Sequence, residues 1–129
     1  MEDLKIRLPL EPMALGISKL THLEIVVSHD KGGFGLGDVI HRTGVRCDIH
    51  PVKLEEFDGM KIYGRIFDGR TRHTGFFVHL IDCKKKSPKK MQMAFEKIKP
   101  RAEKIKDLFV KGEYKAICTL LRDLIGDGK

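Results

Sequence analysis

Apolar positions in the first two thirds of the chain recur at every second residue. In "LKIRL", Leu4, Ile6 and Leu8 share one side while Lys5 and Arg7 take the other. Such alternation marks a half-buried strand, and Pro9 and Pro12 are expected to end it. "LTHLEIVVS" sets Leu23, Ile25 and Val27 against His22, Glu24 and Ser28. "VRCDIHP" sets Val45, Cys47 and Ile49 against Arg46, Asp48 and His50, and Pro51 closes it. "MKIYGRIF" sets Met60, Ile62 and Ile66 against Lys61, Tyr63 and Arg65. "GFFVHLIDC" is apolar more continuously, as a central strand would be. The turn signals "DKGG", "RTG", "FDG" and "FDGR" separate these runs. The spacing predicts an antiparallel sheet of about five or six strands over residues 4–83.

The period changes after Ser87, a favourable N-cap followed by proline at the first helical position. Met91, Phe95, Ile98, Ala102, Ile105 and Phe109 then recur at helical steps of four and three. Pro100 interrupts the run without shifting its phase. The expectation is a kinked helix, or two abutting helices, with Pro100 towards solvent. Gly112 is a stop signal, and Tyr114, Ile117, Leu121 and Leu124 form a second stripe ended by Gly126. The fold class is therefore α+β, an antiparallel sheet followed by a C-terminal helical hairpin with a Pro-kinked first helix. The 129 residues suit one domain, β-rich over 1–83 and helical over 84–129.

Charge adds a location to this outline. The net charge is +7, yet residues 1–83 carry 11 basic and 12 acidic side chains. Residues 84–129 carry 14 basic and 6 acidic ones, and 84–106 alone carries 10 and 2. A solvated helix face usually mixes signs; a local excess of this size attracts polyanions. The candidate contacts to phosphate are Lys84, Lys85, Lys86, Lys89, Lys90, Lys97, Arg101 and Lys104, with the helix N-terminus at Ser87 adding its dipole. Arg65, Arg70 and Arg72 extend the patch if the strand hairpin abuts the helix. Nucleic acid is the expected partner, bound in a largely sequence-independent and salt-dependent way. Aromatic content of 7% without tryptophan argues against sequence-specific recognition of single strands by stacking.

No catalytic, cofactor or metal residue emerges. The glycine run "DKGGFGLGD", Asp30 to Asp38, lacks the Gly-Lys-Ser/Thr of a P-loop and the spacing of a dinucleotide fingerprint. It reads as a wide hairpin turn, with Gly35 and Gly37 leaving one strand face bare. The six histidines show no metal-ligand spacing, and Glu55 and Glu56 point apart in an extended segment. Cys47, Cys83 and Cys118 are far apart and odd in number, so free thiols in a reducing, cytoplasmic compartment are expected. "MEDLKIRLPLEP" is not a signal peptide, and no apolar run has membrane-spanning length, so no membrane association is expected.

"YGRIFDGRTRHTGFFVHLIDCKKKSPKKMQMAFEKIK", residues 63–99, resembles the C-terminal half of the RelE/ParE toxin superfamily. Those proteins often carry an arginine-bearing strand, an aromatic-rich strand and a "KK-x-[ST]…P" segment opening a helix. Arg65 would be the strand arginine; Lys84, Lys85, Lys86, Ser87 and Pro88 would be the basic segment. The resemblance implies a small cytoplasmic toxin paired with an antitoxin. Many members cut mRNA on the ribosome, using basic and aromatic side chains. The family places a helical pair before its sheet, whereas residues 13–59 here read as strands and glycine-rich turns. The strand between the arginine and the lysines is also missing. Three readings follow: a non-enzymatic nucleic-acid-binding protein first, a ribonuclease toxin second, and a protein-interaction or accessory protein of a mobile element third. The last would pair with a protein or a second copy through a sheet edge or the Gly35/Gly37 face.

Overall fold

The chain forms strands β1 (Leu4–Leu15), β2 (Ser18–Lys31), β3 (Asp58–Asp68), β4 (Thr71–His73) and β5 (Val78–Asp82). Helices α1 (Pro88–Ile98), α2 (Ala102–Val110) and α3 (Tyr114–Ile125) follow. These come from a computed structural model that describes residues 3–15, 18–31, 57–68, 71–73, 77–82, 85 and 87–126. The strand expected at "VRCDIHP" and the glycine run from Gly32 to Gly37 lie outside the described residues.

The architecture is α+β, an antiparallel sheet followed by C-terminal helices. β1 pairs with β2 and β2 with β3, all antiparallel. Both β4 and β5 then pair with β3. Ile66 faces His73 and Tyr63 faces Val78, so three residues of β3 correspond to five on the returning chain. β4 and β5 therefore share one edge, offset by two extra residues, and the described sheet is four strands wide. Within the described sheet Val78–Asp82, from "GFFVHLIDC", stands at this edge. Its continuous apolar run reflects burial on both sides: Phe77 and Ile81 belong to the helix-side core, while Val78 and Leu80 are buried on the other face.

Pro9 does not end β1, contrary to expectation. The strand continues to Leu15 through a register shift between Pro9 and Met13. Within the described sheet β1 pairs only with β2, so its outer N–H groups need no ladder partner and proline is tolerated there. The same prolines remove donors from that edge and make it a poor template for an added strand.

The period of two decides which face receives the helices. Leu4, Ile6 and Leu8 lie opposite Val27, Ile25 and Leu23, and Met60, Ile62 and Ile66 continue this face on β3. Against it pack Met91, Ala94, Ile98, Ala102, Ile105, Leu108, Phe109, Ile117 and Leu121. α1 lies over β1 and β2, α2 over β1, and α3 over β5, with α3 touching both other helices. Phe95, expected in the buried stripe, is half-buried, and Ala94 and Leu108 join the core. Pro100 lies exposed within a 3-10 turn, Lys99–Arg101, that joins α1 to α2. It cannot donate to the carbonyl four residues back, and the turn carries the helical phase across that gap.

At the other end of α1, the Ser87 hydroxyl accepts the Lys90 backbone N–H at 3.3 Å. Ser87→Ala is expected to cost about 1 kcal/mol in denaturant-induced unfolding. An unchanged midpoint would contradict the cap.

Cys118 is buried and disulfide-bonded, and its partner lies outside the described residues. The expectation of free thiols fails at this position, because separation along the chain does not report proximity across a fold. The cytoplasmic expectation thereby loses its support from cysteine usage. With three cysteines in the chain, alkylation of unfolded, unreduced protein is expected to label a single thiol, and all three after reduction. Three labelled thiols without reductant would exclude the bond.

Candidate nucleic-acid interface

The outer surface of α1 and α2 divides by helical phase into two flanks. Lys90, Lys97, Arg101, Lys104 and Lys111 succeed one another at steps of seven, four, three and seven, and all are exposed. Lys89 stands beside the start of this row and Met93, 52% exposed, within it. Gln92, Glu96, Glu103 and Asp107 follow steps of four, seven and four along the other flank.

The two flanks differ in how their charges are used. On the acidic flank Gln92 Nε2 donates to Glu96 Oε1 at 2.6 Å. Lys106 Nζ lies 3.0 Å from Glu103 Oε2 and 3.5 Å from the Pro9 carbonyl oxygen. Lys99 Nζ sits 5.7 Å from the centre of the Phe95 ring. The side chains of Lys89 and of Lys90, Lys97, Arg101, Lys104 and Lys111 on the basic flank make no ion pair or ring contact among the described residues. Cations left unneutralised along one line repel each other, and an anion laid along that line relieves the repulsion.

The start of α1 adds to this row. Its first turn holds no acidic residue, so the positive end of the helix dipole is not offset there. Lys85 is exposed just before it. Lys84, Lys86 and Arg70 lie outside the described residues. Lys111 escaped the sequence reading although it continues the spacing of Lys97 and Lys104, because it falls beyond the densest basic window. Burial raises the Tyr114 phenol above its ordinary pKa, so at neutral pH it adds no negative charge beside the row.

Arg65 of the sheet does not join this row. Arg65 lies opposite Glu24 in the β2–β3 register, on the face turned away from the helices. Its guanidinium Nη2 is 3.2 Å from Glu24 Oε1 and its Cζ stands 5.5 Å from the centre of the Tyr63 ring. With side-chain exposures of 14% and 9%, the pair is largely withdrawn from solvent. Arg72 occupies the β4 position paired with Phe67. By register Arg65 therefore stands on the sheet face opposite to the one the helices cover.

The far face carries further cation–ring contacts. Arg7 Cζ lies 5.0 Å from the Phe67 ring, and Lys61, almost fully buried, places Nζ 5.7 Å from the Phe57 ring. Buried His79 shares a 2.6 Å hydrogen bond with the carbonyl oxygen of Gly126, tying β5 to the end of α3. His29 Nδ1 lies 4.0 Å from Asp58 Oδ1. Among the described residues no group of histidine, cysteine, aspartate and glutamate side chains has the proximity to hold a metal ion. None of the described helices is long and apolar enough to cross a membrane.

No protein-family model, curated protein or solved structure matches this chain.

Proposed function

We propose that this protein binds nucleic acid without acting on it, through phosphate contacts made by Lys85, Lys89, Lys90, Lys97, Arg101 and Lys104. The observation that carries this reading is the row of exposed cations on one flank of α1 and α2, without ion pairs among the described residues, while acidic side chains gather on the other flank. The helical hairpin with its proline-bent first helix is the binding part, and the sheet is its platform. Contacts of this type neutralise phosphate and carry no base information, so affinity is largely independent of sequence and falls with salt.

The ribonuclease-toxin reading has weaker support. Arg65, the strand arginine of that resemblance, pairs with Glu24 across the sheet from the lysine row. Incubation with end-labelled RNA and DNA separates the readings. The expected result is a shifted, intact nucleic acid that is recovered at full length after the protein is removed. Progressive shortening of the RNA would replace binding by cleavage. Salt-insensitive association with a protein, together with no affinity for nucleic acid, would replace it by the protein-partner reading.

A further inference from the structure

We infer that the nucleic acid recognised by the lysine row is double-helical; this rests on the binding reading above and adds the form of the ligand. Single strands are held by a charged groove combined with aromatic rings on which bases stack. Among the described residues the row offers neither. It lies on the exposed side of two successive helices, and its exposed apolar member is Met93. The rings nearest in sequence are engaged elsewhere. Phe95 is half-buried beneath the Lys99 ammonium, Phe109 is in the core, and half-buried Tyr114 packs 6.1 Å from Phe109 between ring centres.

What remains is charge along one side of two successive helices. From Lys90 to Lys111 the row spans about 30 Å at the helical rise per residue. That is the length of about nine base pairs, over which a duplex presents a fixed, dense array of phosphates. A flexible single strand has lower charge density and must also be ordered to follow the row, with no stacking on the described rings beside it to offset that loss. A regular duplex backbone is already ordered, so the row favours it.

Fluorescence anisotropy with labelled DNA and RNA, as duplexes of about 12 base pairs and as the matched single strands, tests this at about 0.05 M salt. The comparison uses wild-type protein, Lys97→Gln/Lys104→Gln, and Lys115→Gln on α3 as a control outside the row. Duplex binding is expected to exceed single-strand binding by about tenfold or more. The double substitution is expected to weaken duplex binding by about tenfold or more, and Lys115→Gln by less than about twofold. The DNA and RNA duplex arms identify which backbone supplies the phosphates. Single strands binding as tightly as duplexes, or duplex binding indifferent to the double substitution, would overturn the inference and leave nucleic-acid binding standing. Absence of binding to all four probes would overturn both. A parallel arm with phosphatidylserine vesicles identifies an anionic surface as the ligand if they alone bind.

Discussion

Replacing Lys90, Lys97, Arg101 and Lys104 together by glutamine is expected to weaken nucleic-acid binding by at least about a hundredfold at about 0.05 M salt. Each of these side chains is exposed and free of ion pairs among the described residues, so the change removes charge without breaking an internal contact. Glutamine is polar and uncharged and has a helix propensity close to that of lysine and arginine. Each phosphate contact releases about one counterion, so at low salt one contact contributes roughly tenfold, and four together well exceed the threshold. The quadruple variant should unfold within about 0.5 kcal/mol of wild type, as surface substitutions do. Its unchanged affinity, in a protein that still folds, would show that the row is a solvated face.

The second large effect concerns the sheet that carries the helices. Gly64 lies beneath the fully buried ring of Phe77, and its N–H donates to the Phe77 carbonyl at 3.3 Å. A methyl group at Gly64 would come within 2.5 Å of Phe77 Cε1 and 2.7 Å of Cζ. The ring cannot swing aside, because the core occupies its other sides and the hydrogen bond holds its backbone. Gly64→Ala is therefore expected to destabilise the fold by about 2–3 kcal/mol, the range of an overpacked core. Phe77→Leu alone should cost a similar amount by leaving a cavity. Combined, the smaller side chain makes room for the added methyl, and the double variant should be more stable than the sum of the single costs implies. Strict additivity would show that the two residues do not share the space.

The legible parts of this fold were those where one local pattern decided the structure. The alternation in "LKIRL" and "LEIVV" located β1 and β2 and told their two faces apart, and the Ser87-Pro88 cap located α1. Pro9 misled because proline excludes a central strand but not an edge, and edge position depends on strand order. The apolar run before Cys83 misled similarly: burial on both faces looks the same at an edge as at the centre of a parallel sheet. The pairing of Arg65 with Glu24 depends on the β2–β3 register, which joins residues separated by a long connection. The lysine row was legible as helical spacing, and its extension to Lys111 needed only the same step repeated. Its separation from the acidic flank became meaningful once Gln92–Glu96 and Glu103–Lys106 were seen to satisfy each other. The disulfide at Cys118 had no local signature.

The most direct test of the central claim is the salt dependence of wild-type binding to a short duplex. Six cations contacting phosphate give a slope of log affinity against log salt of about −5.4 on B-form DNA, and the quadruple variant should reduce its steepness by about 3.6. A shallow slope near zero, unchanged in the variant, would contradict the claim that this flank binds nucleic acid by neutralising phosphate.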